Sequence, residues 1–108
     1  MQIQVNRGSI NTTDAIVERI EHEVEKHMRL FRERVTRVEV HLHHDDGQTP
    51  GADKKCMMEA RLAGHDPLAV DHSAIDMYEA ITGAAGKLER AVRHKIERHK
   101  EHLVKHSK

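Results

Sequence analysis

The sequence predicts a two-layer α/β sandwich, with a four-stranded sheet and two helices packed on one face in the order β-α-β-β-β-α. Three observations carry that prediction. Two long segments repeat apolar residues at helical spacing, four short ones alternate with period two, and each helix has a single apolar stripe to bury.

Ile3 and Val5 alternate with Gln2 and Gln4 in the first strand, which Arg7-Gly8-Ser9 breaks. Thr13 is placed to cap a helix from Asp14 to about Arg32, in which Ile16, Val17, Ile20, Val24, Met28 and Phe31 share a face. Its acids come early and its bases Lys26, Arg29 and Arg32 late, as the helix macrodipole favours. Val38, Val40 and Leu42 alternate with Arg37, Glu39, His41 and His43 in a strand over 35–43. Cys56, Met58, Ala60 and Leu62 alternate with Lys55, Met57, Glu59 and Arg61 in a third over 54–63. Between these two, Asp45 to Asp53 contains Asp-Gly and Pro-Gly and reads as a flexible connection of antiparallel strands.

After the turn Gly64-His65-Asp66-Pro67, Leu68 and Val70 supply the inward positions of a short fourth strand ending near Ser73. From Asp76 onward Met77, Ile81, Ala84, Ala85, Leu88, Val92 and Ile96 recur at helical spacing, without a proline as far as Leu103. Gly83 and Gly86 lie inside this helix, where each costs about 1 kcal/mol relative to alanine. Close packing against the first helix or the sheet is the expected compensation.

A length of 108 residues allows one domain, read as 1–108 with a basic tail that frays from about 103. The single cysteine, Cys56, excludes an internal disulfide and fits a reducing compartment. The opening MQIQVNRGS lacks a signal peptide's basic and apolar regions, and no eighteen consecutive residues are apolar, so the expected location is cytoplasmic.

The formal net charge is zero, yet its distribution is lopsided. Residues 1–85 hold 10 Lys and Arg against 15 Asp and Glu, whereas 86–108 hold 8 against 3, which gives −5 and +5. An acidic body with a basic end points to a polyanionic partner. Counting 100° per residue from Leu88, Lys87, His94 and Arg98 fall on one flank of the last helix, Arg90 near its outer face, and Arg93 and Lys100 on the other flank. Such cations can meet successive phosphates with release of counterions. The competing reading is a solvated helix end, with Glu89, Glu97 and Glu101 as partners. Phe31 and Tyr78 both fall in helices, so no aromatic platform for stacking bases is expected on the strands.

Other chemistry finds little support. His41 and His43 project from one strand face, but two ligands do not make a metal site; His99, His102 and His106 form a second incomplete set. Cys56 has no neighbouring base and reads as a small buried hydrophobe rather than a nucleophile. Gly83-Ala84-Ala85-Gly86 has no P-loop lysine-serine pair. No cofactor, metal or small-molecule substrate is expected.

The order of elements, the segment Asp76-Met77-Tyr78 with Ala80-Ile81, and the run Lys87-Leu88 with Arg90, Arg93, Lys95, Arg98 and Lys100 resemble the ribosome hibernation-promoting factors, in their short form. Ribosome-associated inhibitor Y and the sigma-54 modulation proteins belong to the same family. The resemblance covers almost the whole chain and implies a fold akin to a double-stranded-RNA-binding domain. It implies binding to the small ribosomal subunit, through 16S rRNA and neighbouring ribosomal proteins. There the factor blocks mRNA and tRNA by occupancy, under stress or in stationary phase, without catalysis. Carried over by position, Lys87, Arg90, Arg93, His94, Lys95, Arg98 and Lys100 are the implied rRNA contacts of the second helix, and Lys26 and Arg29 those of the first. Asp76 is implied to cap the second helix, with Met77, Tyr78 and Ile81 in the core. The chain departs from its relatives in Glu21, Glu23 and Glu25 on the first helix and in its neutral total.

Two rivals follow from the same residues. One is a protein-binding regulator of the sigma-factor modulation type on this fold. The other is an enzyme or metal protein using Arg37, His41, His43, Glu59 and Arg61 on the exposed sheet face.

Overall fold

A computed structural model describes residues 1–106 apart from 7, 9, 46–50 and 52. Its elements are β1 (Gln2–Asn6), α1 (Asp14–Met28), a 3₁₀ turn (Arg29–Phe31), β2 (Val35–His44), β3 (Lys54–Leu62), β4 (Leu68–Ala74) and α2 (Met77–His106). The four strands form one sheet in chain order, β1 parallel to β2 and the other neighbours antiparallel. This is the expected β-α-β-β-β-α sandwich. The parallel β1–β2 pair needs a crossover, and α1 supplies it.

Register places the apolar residues in rows. Ile3 lies beside Val38, which lies beside Ala60, and Ala60 lies beside Leu68. The next row is Val5, Val40, Met58 and Val70. Both rows face the helices, and Val38, Val40, Met58 and Ala60 are fully buried with Ile20, Val24, Ile81, Leu88 and Val92. Cys56 is buried in this core, and burial pushes its thiol up to about 12. Strict alternation would turn Val35 to the opposite face from Val38. A register shift between Val35 and Arg37 brings both into the core. Thr36, at this irregularity, donates from Oγ1 to the Arg61 carbonyl at 3.1 Å.

Three expectations are corrected. The first helix stops at Met28 rather than Arg32, because Met28 takes φ −96°, ψ 4° and the chain tightens into a 3₁₀ turn that closes with Arg34 N–H on the Phe31 carbonyl at 2.9 Å. The tighter turn keeps Phe31 against the core and leaves Leu30 79% exposed. Tyr78 is not core: it is 38% exposed, with the Arg19 guanidinium 5.2 Å from its ring centroid. The third strand ends at Leu62, one residue early. Of the Asp45 to Asp53 connection, residues 46–50 and 52 lie outside the described residues, as do tail residues 107 and 108.

The caps are where the residue types place them. Thr13 Oγ1 accepts from Ile16 N–H at 3.2 Å, and Asp76 Oδ1 accepts from Glu79 N–H at 2.9 Å. Gly83 is explained by contact. A Cβ there would lie 2.1 Å from the His72 ring on β4, so helix and sheet approach more closely than alanine permits.

Candidate nucleic-acid interface

The two helices run parallel, since Arg19 and Glu23 of α1 meet Thr82 of α2, His27 meets Glu89, and Phe31 meets Arg93 further along both. Lys26 and Arg29 therefore lie at the same end of the helical layer as Arg90 and Arg93. A chain of ionic contacts fills the seam. Arg19 stands 3.9 Å from Glu23, and Glu23 stands 3.4 Å from His27 Nε2. His27 Nδ1 lies 2.6 Å from Glu89, and Glu89 accepts from Arg93 at 3.0 Å. Glu23 is only 6% exposed, and among the described residues its Oε2 has no hydrogen-bond partner.

This seam sorts the predicted contact residues. Arg93 is held by Glu89 and lies 5.8 Å from the Phe31 ring centroid, so it serves the junction of the helices. Lys87, on the opposite flank, donates to the Asp71 carbonyl of β4 at 2.9 Å. By contrast, Arg90, Lys95 and Arg98 have no carboxylate within ion-pair distance among the described residues, and neither do Lys26, Arg29 and Lys100.

The structure brings Arg90, His94, Lys95 and Arg98 together along one wall of a groove of about 900 Å³. His65 of the β3–β4 turn and Leu68 at the start of β4 form the other wall. Ala91 adds apolar surface, and His99 completes the lining with its ring edge-to-face on His65 at 4.7 Å between centroids. Among the described side chains no carboxylate lines this groove. Lys26, Arg29 and Lys100 are exposed outside it. Sequence reasoning missed His65 and Leu68, because a turn residue and an edge-strand leucine carry no periodic charge signal. The β3–β4 pairing, with Ala60 beside Leu68, brings them opposite α2.

A family model described as Sigma 54 modulation protein / S30EA ribosomal protein matches residues 3–100. The chain belongs to this family. Among curated proteins there is no match. Of solved structures, a ribosomal subunit interface protein from Coxiella burnetii superimposes with a TM-score of 0.75 at 18% identity, covering 89% of this chain and 99% of that one. The Thermus thermophilus Protein Y N-terminal domain gives 0.65 at 20% identity, covering 86% and 93%. At these identities the likeness is one of fold.

In this S30EA-family chain the outer sheet face is occupied by its own ion pairs. Arg37 binds Glu39 at 2.7 Å and also Gln4, Arg61 stands 3.7 Å from Glu59, and Lys55 stands 3.9 Å from Asp71. His41 and His43 stack at 6.3 Å, but no three His, Cys, Asp or Glu side chains among the described residues are placed to share a metal ion. His102 and His106 lie outside the described side chains. No helix among the described residues is long and apolar enough to cross a membrane.

Proposed function

We propose that this chain is a ribosome hibernation factor of the cytoplasm, a non-enzymatic inhibitor that binds the small ribosomal subunit near the decoding site and blocks mRNA and tRNA. Membership of the S30EA family supports the ribosomal partner. The observation that carries the geometry is the division among the cations of α2. Lys87 and Arg93 are engaged within the fold, while Arg90, Lys95 and Arg98 stand without carboxylate partners among the described residues, beside His94. Unpaired guanidinium and ammonium groups lose little on meeting phosphate and gain from counterion release. Lys26, Arg29 and Lys100 extend the basic surface at the same end of the helices.

Sedimentation with purified small subunits over a salt series tests this reading. Binding should weaken steeply with salt, and Arg90→Glu/Arg98→Glu should abolish it while Arg61→Glu on the sheet leaves it intact. Binding that ignores salt and survives the double change refutes the mechanism. Retention of RNA-polymerase components without ribosomes would favour the sigma-modulation reading.

A further inference from the structure

The groove beside α2 is more than a row of cations on a convex helix. It is a shallow, open groove of about 900 Å³, and it combines three kinds of surface that a nucleotide needs. Arg90, Lys95 and Arg98 supply positive charge. Leu68 and Ala91 supply apolar surface, and His65 and His99 supply flat rings already ordered against each other edge-to-face at 4.7 Å. Imidazole faces are among the surfaces on which unstacked bases rest.

We propose that this groove binds a single phosphorylated nucleotide, its phosphate on Arg90, Lys95 and Arg98 and its base against His65, His99 and Leu68. The proposal rests on the RNA-facing reading of α2 for the origin of the ligand. It adds that contact is not limited to the phosphate backbone, because a base turned out of its stack enters between the helix and the β3–β4 turn. A free nucleotide has the same chemistry and would compete for the same place.

Two features of the site favour this class of ligand over a simple anion. A phosphate alone needs neither the apolar wall nor the paired rings. The described lining holds no carboxylate to repel phosphate, whether a nucleotide's or a simple anion's. The planar guanidinium of Arg90 or Arg98 can bind phosphate in a bidentate manner or stack on a base.

The test follows backbone and imidazole NMR signals of the full chain while inorganic phosphate, AMP or a five-residue oligouridylate is added. AMP and the oligonucleotide should shift His65, His99 and Leu68 saturably, whereas inorganic phosphate should move the signals of Arg90, Lys95 and Arg98 but not the His65–His99 pair. Arg98→Gln should weaken AMP binding at least about fivefold, as loss of one charge-assisted hydrogen bond does. Leu68→Asn, which removes the apolar wall without adding charge, should weaken AMP more than inorganic phosphate. Equal shifts at the exposed His22, His43 and His44, or affinity unchanged in Arg98→Gln, overturn the proposal. Oligonucleotide binding at least about tenfold tighter than AMP assigns the site to an RNA chain, and parity assigns it to a free nucleotide. Small-subunit sedimentation separates the two readings. Subunit binding without any response to AMP or oligonucleotide defeats the nucleotide site alone, and nucleotide binding without subunit binding defeats the hibernation reading alone.

Discussion

His27 Nδ1 lies 2.6 Å from Glu89 Oε1, and this contact joins the two helices. An ionised carboxylate can only accept, so Nδ1 is the donor and the proton position follows from the geometry. Both groups are mostly shielded, at 20% and 27% side-chain exposure. His27→Ala should therefore lower stability by about 1–2 kcal/mol. Glu89→Gln should cost less, because its amide oxygen still accepts from Nδ1–H. A double-mutant cycle in urea should return a coupling of about 0.5–2 kcal/mol, and strict additivity would show that the contact contributes nothing.

Gly83 and Gly86 are three residues apart in one helix but face different surroundings. Alanine at 83 places Cβ 2.1 Å from the His72 ring, whereas alanine at 86 meets nothing nearer than Arg90 Nη1 at 3.6 Å. Gly83→Ala should destabilise by about 1–3 kcal/mol, and Gly86→Ala should stabilise by up to about 1 kcal/mol through helix propensity. Thermal unfolding separates them. His72→Ala should recover part of the Gly83→Ala loss, since it removes the ring that the new methyl strikes.

The fold was legible because period-two and helical patterns each point one way. Ile3, Val38, Val40, Met58, Ile81 and Leu88 all face the interior as their spacing requires. What pattern could not show is what depends on exact backbone geometry. The irregularity that buries Val35 leaves no mark in the order of residue types. The 3₁₀ turn that ends α1 early keeps Phe31 inward and so looks helical from spacing alone. The candidate site was half legible. The cations of α2 are visible as a basic run, and the i,i+4 pair of Arg93 with Glu89 follows from spacing, but the engagement of Lys87 depends on the Asp71 carbonyl, distant in sequence. His65 enters the groove through strand pairing, which local composition does not encode.

Cys56 links stability to alkaline pH. Burial raises its thiol from 9.0 to about 12 in the folded protein, whereas an unfolded chain has no such burial. Above pH 9.0 the unfolded state releases the proton that the native state still holds, so stability falls as pH rises from there toward about 12. The slope approaches about 1.4 kcal/mol per pH unit, and below that window the thiol contributes no pH dependence. Urea midpoints at pH 8 and 10 should drop more for the wild type than for Cys56→Ala. Native protein should also resist thiol labelling at pH 8 until urea exposes the chain, and prompt labelling of the folded state would contradict the burial.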